Sequence, residues 1–401
     1  MGCKATLGEL CTFHRGASVP RARMFNSGNY LYIHYGDLYR GFEQRIDVED
    51  PAKPLPFILD SEKIKETQFL HDQDIVYVLT SETVDDLGHA FLFNNPRNRI
   101  AVSGTETTIV RIQRKDMVLP AYLNYVMQSP RFIAELRQYV RGMKVFRVHP
   151  NDVARISVDL PSLDKQAKVV AILDAIFEKR LINNRLNGYL EELADTLFQD
   201  MLASQADNAT LADVASVTMG QSPAGASYNE KGVGTVFYQG RGEFGWRFPT
   251  QRLFTTAPKR MAAANDVLMS VRAPVGDLNV AYEDCCIGRG LAAISSDHHS
   301  FCLYLMRSLK RKLDAFNGEG TVFGSINGKA LKGLPVYAPP ASAIEAFEAK
   351  ASPIDKLIST NEAENRKLEK IRDALLPKLM SGEIDVSKVN LTQLNSHLTD
   401  C

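Results

Sequence analysis

The sequence has no excess of charge of either sign: 47 Lys and Arg stand against 47 Asp and Glu in 401 residues. A balanced chain has no strong field of its own. That excludes a polybasic or acidic binder acting through the whole molecule, and any nucleic-acid surface must be local. The six cysteines, Cys3, Cys11, Cys285, Cys286, Cys302 and Cys401, form no CxxC pair and have no histidine at zinc-ligand spacing. They read as reduced thiols of a cytoplasmic protein, not as a metal centre or disulfide frame. No uncharged apolar run reaches the roughly 18 residues needed to cross a bilayer, and the N-terminus lacks a signal-peptide pattern, so neither a membrane span nor export is expected. Met1-Gly2-Cys3-Lys4-Ala5-Thr6 fits the N-myristoylation consensus, a short pattern that recurs by chance. With 45% hydrophobic residues, a chain of this length has room for two or more domains, each with a core.

What is present is, first, a pair of long amphipathic runs. From Gln166 to Leu202, the residues Val169, Ile172, Ile176, Lys179, Asn183, Leu186, Leu190, Leu193 and Leu197 recur at alternating spacings of three and four, with no glycine before Gly188. Such a narrow apolar stripe predicts a coiled-coil helix roughly 55 Å long. A second run, Ile354, Leu357, Asn361, Leu368, Ile371 and Leu375, repeats the pattern until Pro377 and Gly382 stop it. Asn183 and Asn361 place an amide on each seam, where it lowers stability but rejects wrong registers.

The rest of the chain repeats itself. Short β-branched or aromatic runs at 31–33, 75–79, 90–93 and 108–112 are bounded by turn residues and followed by a helical stretch from Pro120 to Tyr139. Leu211-Ala212-Asp213-Val214 then opens a second series as Leu7-Gly8-Glu9-Leu10 opened the first. Gly220 matches Gly16, Asn265 to Ser270 matches Gln73 to Val78, and Ser300 to Phe316 supplies the second helix. Each series ends in a proline-containing strand, at 157–161 and 335–340, that feeds one of the heptad runs. The order domain, arm, domain, arm suggests one molecule presenting two similar surfaces.

The motifs of the second series, Met219-Gly220-Gln221-Ser222-Pro223, Phe237-Tyr238-Gln239-Gly240, Ser270-Val271-Arg272-Ala273-Pro274-Val275-Gly276-Asp277, Cys286-Ile287-Gly288-Arg289-Gly290-Leu291 and Thr321-Val322-Phe323-Gly324-Ser325-Ile326, resemble a target-recognition domain of the specificity subunit of bacterial type I restriction-modification enzymes. Arg372 to Ile384 resembles that family's C-terminal helical region. The resemblance implies an α+β protein: two tandem α/β target-recognition domains, 1–160 and 205–342, separated by two long helices, 161–204 and 343–386, that pair as an antiparallel coiled coil, with a tail at 387–401. It also implies the partners. These are double-stranded DNA read as a split target, two methyltransferase subunits docked on the helices, and restriction subunits; no catalytic role and no cofactor fall to this chain. The first series departs from the pattern. Thr80-Ser81-Glu82-Thr83 stands against Val271-Arg272-Ala273-Pro274, and Gly104-Thr105-Glu106-Thr107 against Gly288-Arg289-Gly290, as a different half-site requires.

Arg and Gln read base edges, whereas Lys, Ser, Thr and backbone N–H groups hold phosphates. On that chemistry the DNA-facing candidates of the second domain are Gln221, Ser222, Tyr238, Gln239, Arg241, Arg272, Arg289, Thr321 and Lys329. Those of the first are Arg15, Ser18, Tyr35, Thr80, Arg141, Lys144 and Arg147. Arg131, Arg137, Arg141, Lys144 and Arg147 form a basic cluster that reads either as a phosphate rail or as one exposed helix face. The candidate helix-pairing residues are Ile176, Asn183, Leu186, Leu190, Leu193, Leu197, Ile354, Leu357, Asn361, Leu368, Ile371 and Leu375.

Motifs of an enzyme are weak. Gly240-Arg241-Gly242-Glu243-Phe244-Gly245 has dinucleotide-loop spacing, but Trp246-Arg247-Phe248-Pro249 follows where a helix must start. Phe316-Asn317-Gly318-Glu319-Gly320 has the look of a methyltransferase cofactor loop, yet no catalytic tetrad accompanies it. A stand-alone S-adenosylmethionine-dependent DNA methyltransferase is the alternative reading.

Overall fold

The computed structural model describes residues 3–39, 42–202, 205–318 and 324–389. It divides into two compact units, Met1–Leu181 with Arg366–Cys401, and Ile182–Asn365.

In the first unit Thr6 and Glu9 form a capping box that starts the one-turn helix Leu7–Leu10. Strand Cys3–Thr6, just before it, pairs antiparallel with Ser157–Leu160, closing the end of the domain on its beginning. A five-stranded sheet runs in the order Cys11–Arg15, Thr107–Ile112, Ile75–Val78, Ala90–Asn94, Arg45–Asp47. A three-stranded sheet has Tyr30–Ile33 between Phe57–Ile58 and its parallel neighbour Ala101–Ser103. All of Ile75–Val78 is buried because the strand faces two cores, Ile75 and Tyr77 lying in one and Val76 and Val78 in the other. The helical stretch expected from Pro120 to Tyr139 is broken at Ser129. Pro130 disfavours helix at the residue before it, and the Ser129 hydroxyl caps the second piece, Pro130–Arg137, on Phe132 N at 3.3 Å.

The second unit repeats this construction. Ala209–Thr210 pairs with Pro335–Val336, Thr210 and Asp213 start the turn Leu211–Val214, and one sheet runs Ser216–Met219, Leu291–Ser295, Val267–Ser270, Leu278–Val280. The hydrogen bonds fix the correspondence residue by residue. Gly16 N donates to Thr107 O at 3.0 Å as Gly220 N does to Leu291 O at 2.9 Å; Gly104 N donates to Ile33 O at 3.0 Å as Gly288 N does to Tyr238 O at 2.8 Å. Even the left-handed turn residues agree, Gln73 at φ 69° and Asn265 at φ 71°.

The long helices run Leu163–Leu202 and Ala341–Ser381. Pro377 does not stop the second one. It is exposed in the last turns of the helix, which ends at Gly382, whose φ is 75°. Within the second unit Asn183 donates to Glu364 and Asn365 (2.8 and 3.0 Å), Asn187 donates to Glu362 (3.0 Å), and Asn361 donates to Asn187 (2.8 Å). Numbers fall on one helix as they rise on the other, so the pairing is antiparallel. Asn365 also donates to Asn184 at 2.8 Å. In the first unit Arg180, 7% exposed, bridges Glu43 and Glu369.

These polar groups shift the seam. On the first helix the buried line passes through Val169, Leu173, Ile176, Arg180, Asn183, Asn187, Ala194 and Phe198. The column Ile172, Lys179, Leu186, Leu193 taken from the heptad pattern is therefore displaced by one residue: Leu186 is 39% and Leu193 50% exposed, and on the second helix Leu357 is 42% and Ile371 46% exposed. Counting leucines picks the wrong column where the buried one is built from Arg and Asn. Leu190, Leu197 and Ile354 are half-buried against the second unit's core, Leu375 against the first's, and Leu368 is half-buried.

Each domain is locked to the helix that follows it by the same three residue types. In the first unit Arg45 pairs with Asp174, and the Tyr125 hydroxyl donates to that carboxylate at 2.7 Å. In the second, Arg247 lies 3.3 Å from Asp355, to which Tyr304 donates at 3.0 Å. Burial holds the Asp355 carboxyl above its ordinary range despite Arg247.

Candidate nucleic-acid interface

In the second unit three loops cross at contact distance because glycines let them. A Cβ on Gly220 would lie 2.1 Å from Gly288 O, and one on Gly290 2.8 Å from Gln239 O. The turn 270–277 is drawn in by Ser270, whose hydroxyl donates to Pro274 O at 2.6 Å and accepts from Asp277 N at 3.0 Å. The result is an open concavity of about 470 Å³ on whose walls Gln239, Arg241, Arg272 and Arg289 converge, all four exposed. Arg241 is paired with Asp277 at 3.0 Å. Arg272 and Arg289 have no acidic partner among the described residues, so their guanidinium groups present a fork of donors to whatever enters.

The other candidates of this unit fare differently. Tyr238 does not protrude: it is 1% exposed in the core with Val236, Leu268 and Ile287, because strand Thr235–Tyr238 is buried on both faces from Val236 onward and Gln239 is the first residue to emerge. Ser222 accepts the backbone N–H of Arg289 at 3.3 Å and so braces that loop. Gln221 is exposed beside it, and Lys329 is exposed on the short helix Gly328–Lys332, outside the residues that line the concavity. Thr321 lies outside the described residues.

The first unit has the same crossing, with a Cβ on Gly16 falling 2.0 Å from Gly104 O. The correspondence Ile33 to Tyr238 and Gly104 to Gly288 puts His34 in the place of Gln239 and Thr105 in that of Arg289. The bridge of Arg147 to Thr80, like that of Ser325 to Arg272, puts Thr80 in the place of Arg272, one residue from the alignment read off the sequence. Burial holds the His34 imidazole below its ordinary value, and its ring accepts from Gly36 N at 3.1 Å. Arg15, Ser18 and Tyr35 are exposed and Thr80 half-exposed. The basic cluster is no continuous rail. Arg131 is paired with Asp159, Arg137 with Asp85 and Arg141 with Asp152, which leaves Lys144 and Arg147 without an acidic partner among the described residues.

Among the described residues no group of three or more His, Cys, Asp or Glu is placed to hold a metal, and burial pushes the Cys11, Cys285 and Cys302 thiols up to about 12, far from a reactive thiolate. No helix of the described residues is long and apolar enough to cross a membrane.

Comparison with known proteins agrees with the duplicated site. A family model for the type I restriction modification DNA specificity domain matches residues 4–192 and 204–373. The putative MjaX specificity subunit of Methanocaldococcus jannaschii is 28% identical over 298 residues, 68% of this chain and 70% of that protein. The HindI specificity subunit of Haemophilus influenzae is 20% identical, covering 87% of this chain and 98% of its own length. The crystal structure of a type I restriction-modification S subunit from M. genitalium shares the fold, with a TM-score of 0.59 at 14% identity over 94% of this chain and 96% of that one. The chain belongs to the DNA-specificity family of type I restriction-modification systems.

Proposed function

We propose that this chain is the non-catalytic, cytoplasmic subunit that reads a split DNA target, each unit taking one half, and that carries the methyltransferase and restriction subunits of its complex. The observation that carries this reading is the duplicated crossing with different side chains on it: Arg272 and Arg289 on one copy, Thr80 and Thr105 on the other, over the same glycine-built backbone. One scaffold bearing two reading chemistries suits two unlike half-sites. The alternative, a stand-alone methyltransferase, draws no support from the family match.

The test is co-expression with the methyltransferase subunit and genome-wide mapping of methyladenine. A single motif in two parts separated by a fixed number of unread pairs is the expected result; methylation at a continuous motif, or none, overturns the reading.

In the same reading the two long helices act as a spacer. Removing one heptad from each shortens them by roughly 10 Å, about three base pairs. The unread gap in the methylated motif changes and both read halves remain; an unchanged gap excludes the spacer role.

A further inference from the structure

Residues 141–147 of the first unit form a closed hairpin. Arg141 and Arg147 exchange both backbone hydrogen bonds, at 2.9 and 2.8 Å. Gly142, at φ 116°, makes the turn, and a Cβ there would lie 2.0 Å from Val145 O, so the backbone conformation is reserved for glycine. The base of the hairpin is fixed. Phe146 packs against the first unit's core, Arg147 pairs with Thr80, and Val148 N donates to Leu79 O at 3.0 Å. It therefore rises from the edge of the reading site, beside the residue that occupies the place of Arg272.

At its tip Met143 is 94% exposed, more than any other large apolar side chain among the described residues. Lys144 follows it directly and Arg147 stands at the hairpin's base, both exposed and without an acidic partner among the described residues. A tight, anchored turn that holds an unbranched apolar chain in water beside two free cations has an evident complement. The cations suit phosphates, and a methionine suits the floor of a groove or the gap of a partly opened base step, where apolar wedges of this kind are used.

We infer that Met143 is an apolar wedge which the first unit inserts into the duplex at its half-site, with Lys144 and Arg147 on the flanking phosphates. This rests on the DNA-reading role proposed above. The hairpin's partner in the second unit falls partly on residues outside those described, so the wedge is assigned to the first unit alone.

The experiment uses the full chain with its methyltransferase subunit and a duplex bearing the mapped split motif, with 2-aminopurine placed in turn at the adenines of the first unit's half-site. Binding by the wild type raises the fluorescence at one step, the mark of unstacking. Met143→Ala loses that rise and binds roughly tenfold more weakly with an unchanged dependence on salt; Met143→Leu restores both. Lys144→Ala with Arg147→Ala keeps the fluorescence rise but lowers the slope of log affinity against log salt by about 2. Met143→Ala binding with wild-type affinity and fluorescence, on a duplex the wild type binds, removes the wedge alone. Loss of methyltransferase binding in Met143→Ala reassigns the hairpin to a protein contact, which also overturns the wedge. A wild-type chain that binds no split duplex removes the reading and the wedge together.

Discussion

Replacing Arg272 or Arg289 with alanine is expected to erase discrimination at one half of the target and leave the other half as it was. Each side chain is exposed in the concavity, and the backbone that positions it is held by other groups: Ala273 N donates to Gly324 O and Ile326 N to Val271 O, both at 3.0 Å, and Arg289 N donates to Ser222. Truncation therefore removes donors and spares the loop. A bidentate arginine is worth about 1–3 kcal/mol of discrimination, roughly five- to 150-fold, and guanine is the base whose major-groove edge it fits. Mapped methylation should show one or more positions in a single half relaxing from one base to several. The reciprocal changes, Thr80→Arg and Thr105→Arg, alter the other half. Relaxation of both halves by Arg272→Ala would show that the residue holds the fold instead of reading DNA.

The second large effect concerns assembly. Ile182, Leu186, Tyr189 and Leu193 are 42, 39, 68 and 50% exposed and recur at spacings of four, three and four along one face of the first long helix. A soluble helix gains nothing from such a stripe unless something covers it, and a partner helix is the occupant that heptad spacing fits. Leu186→Asp with Leu193→Asp should abolish co-purification of the methyltransferase subunit, since central apolar anchors cost about 2 kcal/mol or more each. The melting temperature should stay near that of the wild type, because neither side chain is in the core. Ala194→Asp is the contrast: Ala194 is 0% exposed in the second unit's core, and a charge there should unfold the unit. Normal co-purification of the double variant would exclude this face as the docking surface.

Much of this was legible before any coordinates, for identifiable reasons. The repeat could be read because turn chemistry recurs: Gly16 and Gly220 occupy backbone crossings that exclude a side chain, and Gln73 and Asn265 take the same left-handed turn. The arms could be read because forty helical residues leave a period that short elements cannot. Phase was harder. Lys179 and Leu186 look like seam residues by spacing, and only three-dimensional packing shows Arg180 and Asn187 in their stead, since a polar residue satisfied across a helix pair carries no hydrophobic signal. Tyr238 differs for the converse reason: a phenol suggests a polar surface, yet the strand that carries it is buried on both faces from Val236 onward. Met143 carried no signal in the sequence at all, because nothing in its neighbours reveals that a hairpin lifts it into solvent.

The amides between the long helices have one more consequence. Leucines facing leucines are nearly interchangeable, so an apolar pair slides by a heptad at little loss. Here such a slip would part Asn183 from Asn365, Asn187 from Asn361 and Asn184 from Asn365, and would bring Leu357 and Ile358, or Ile371 and Arg372, opposite Asn183. The asparagines thus act like the notches of a ratchet bar, permitting one setting of the helix pair and making every neighbouring setting a mismatch.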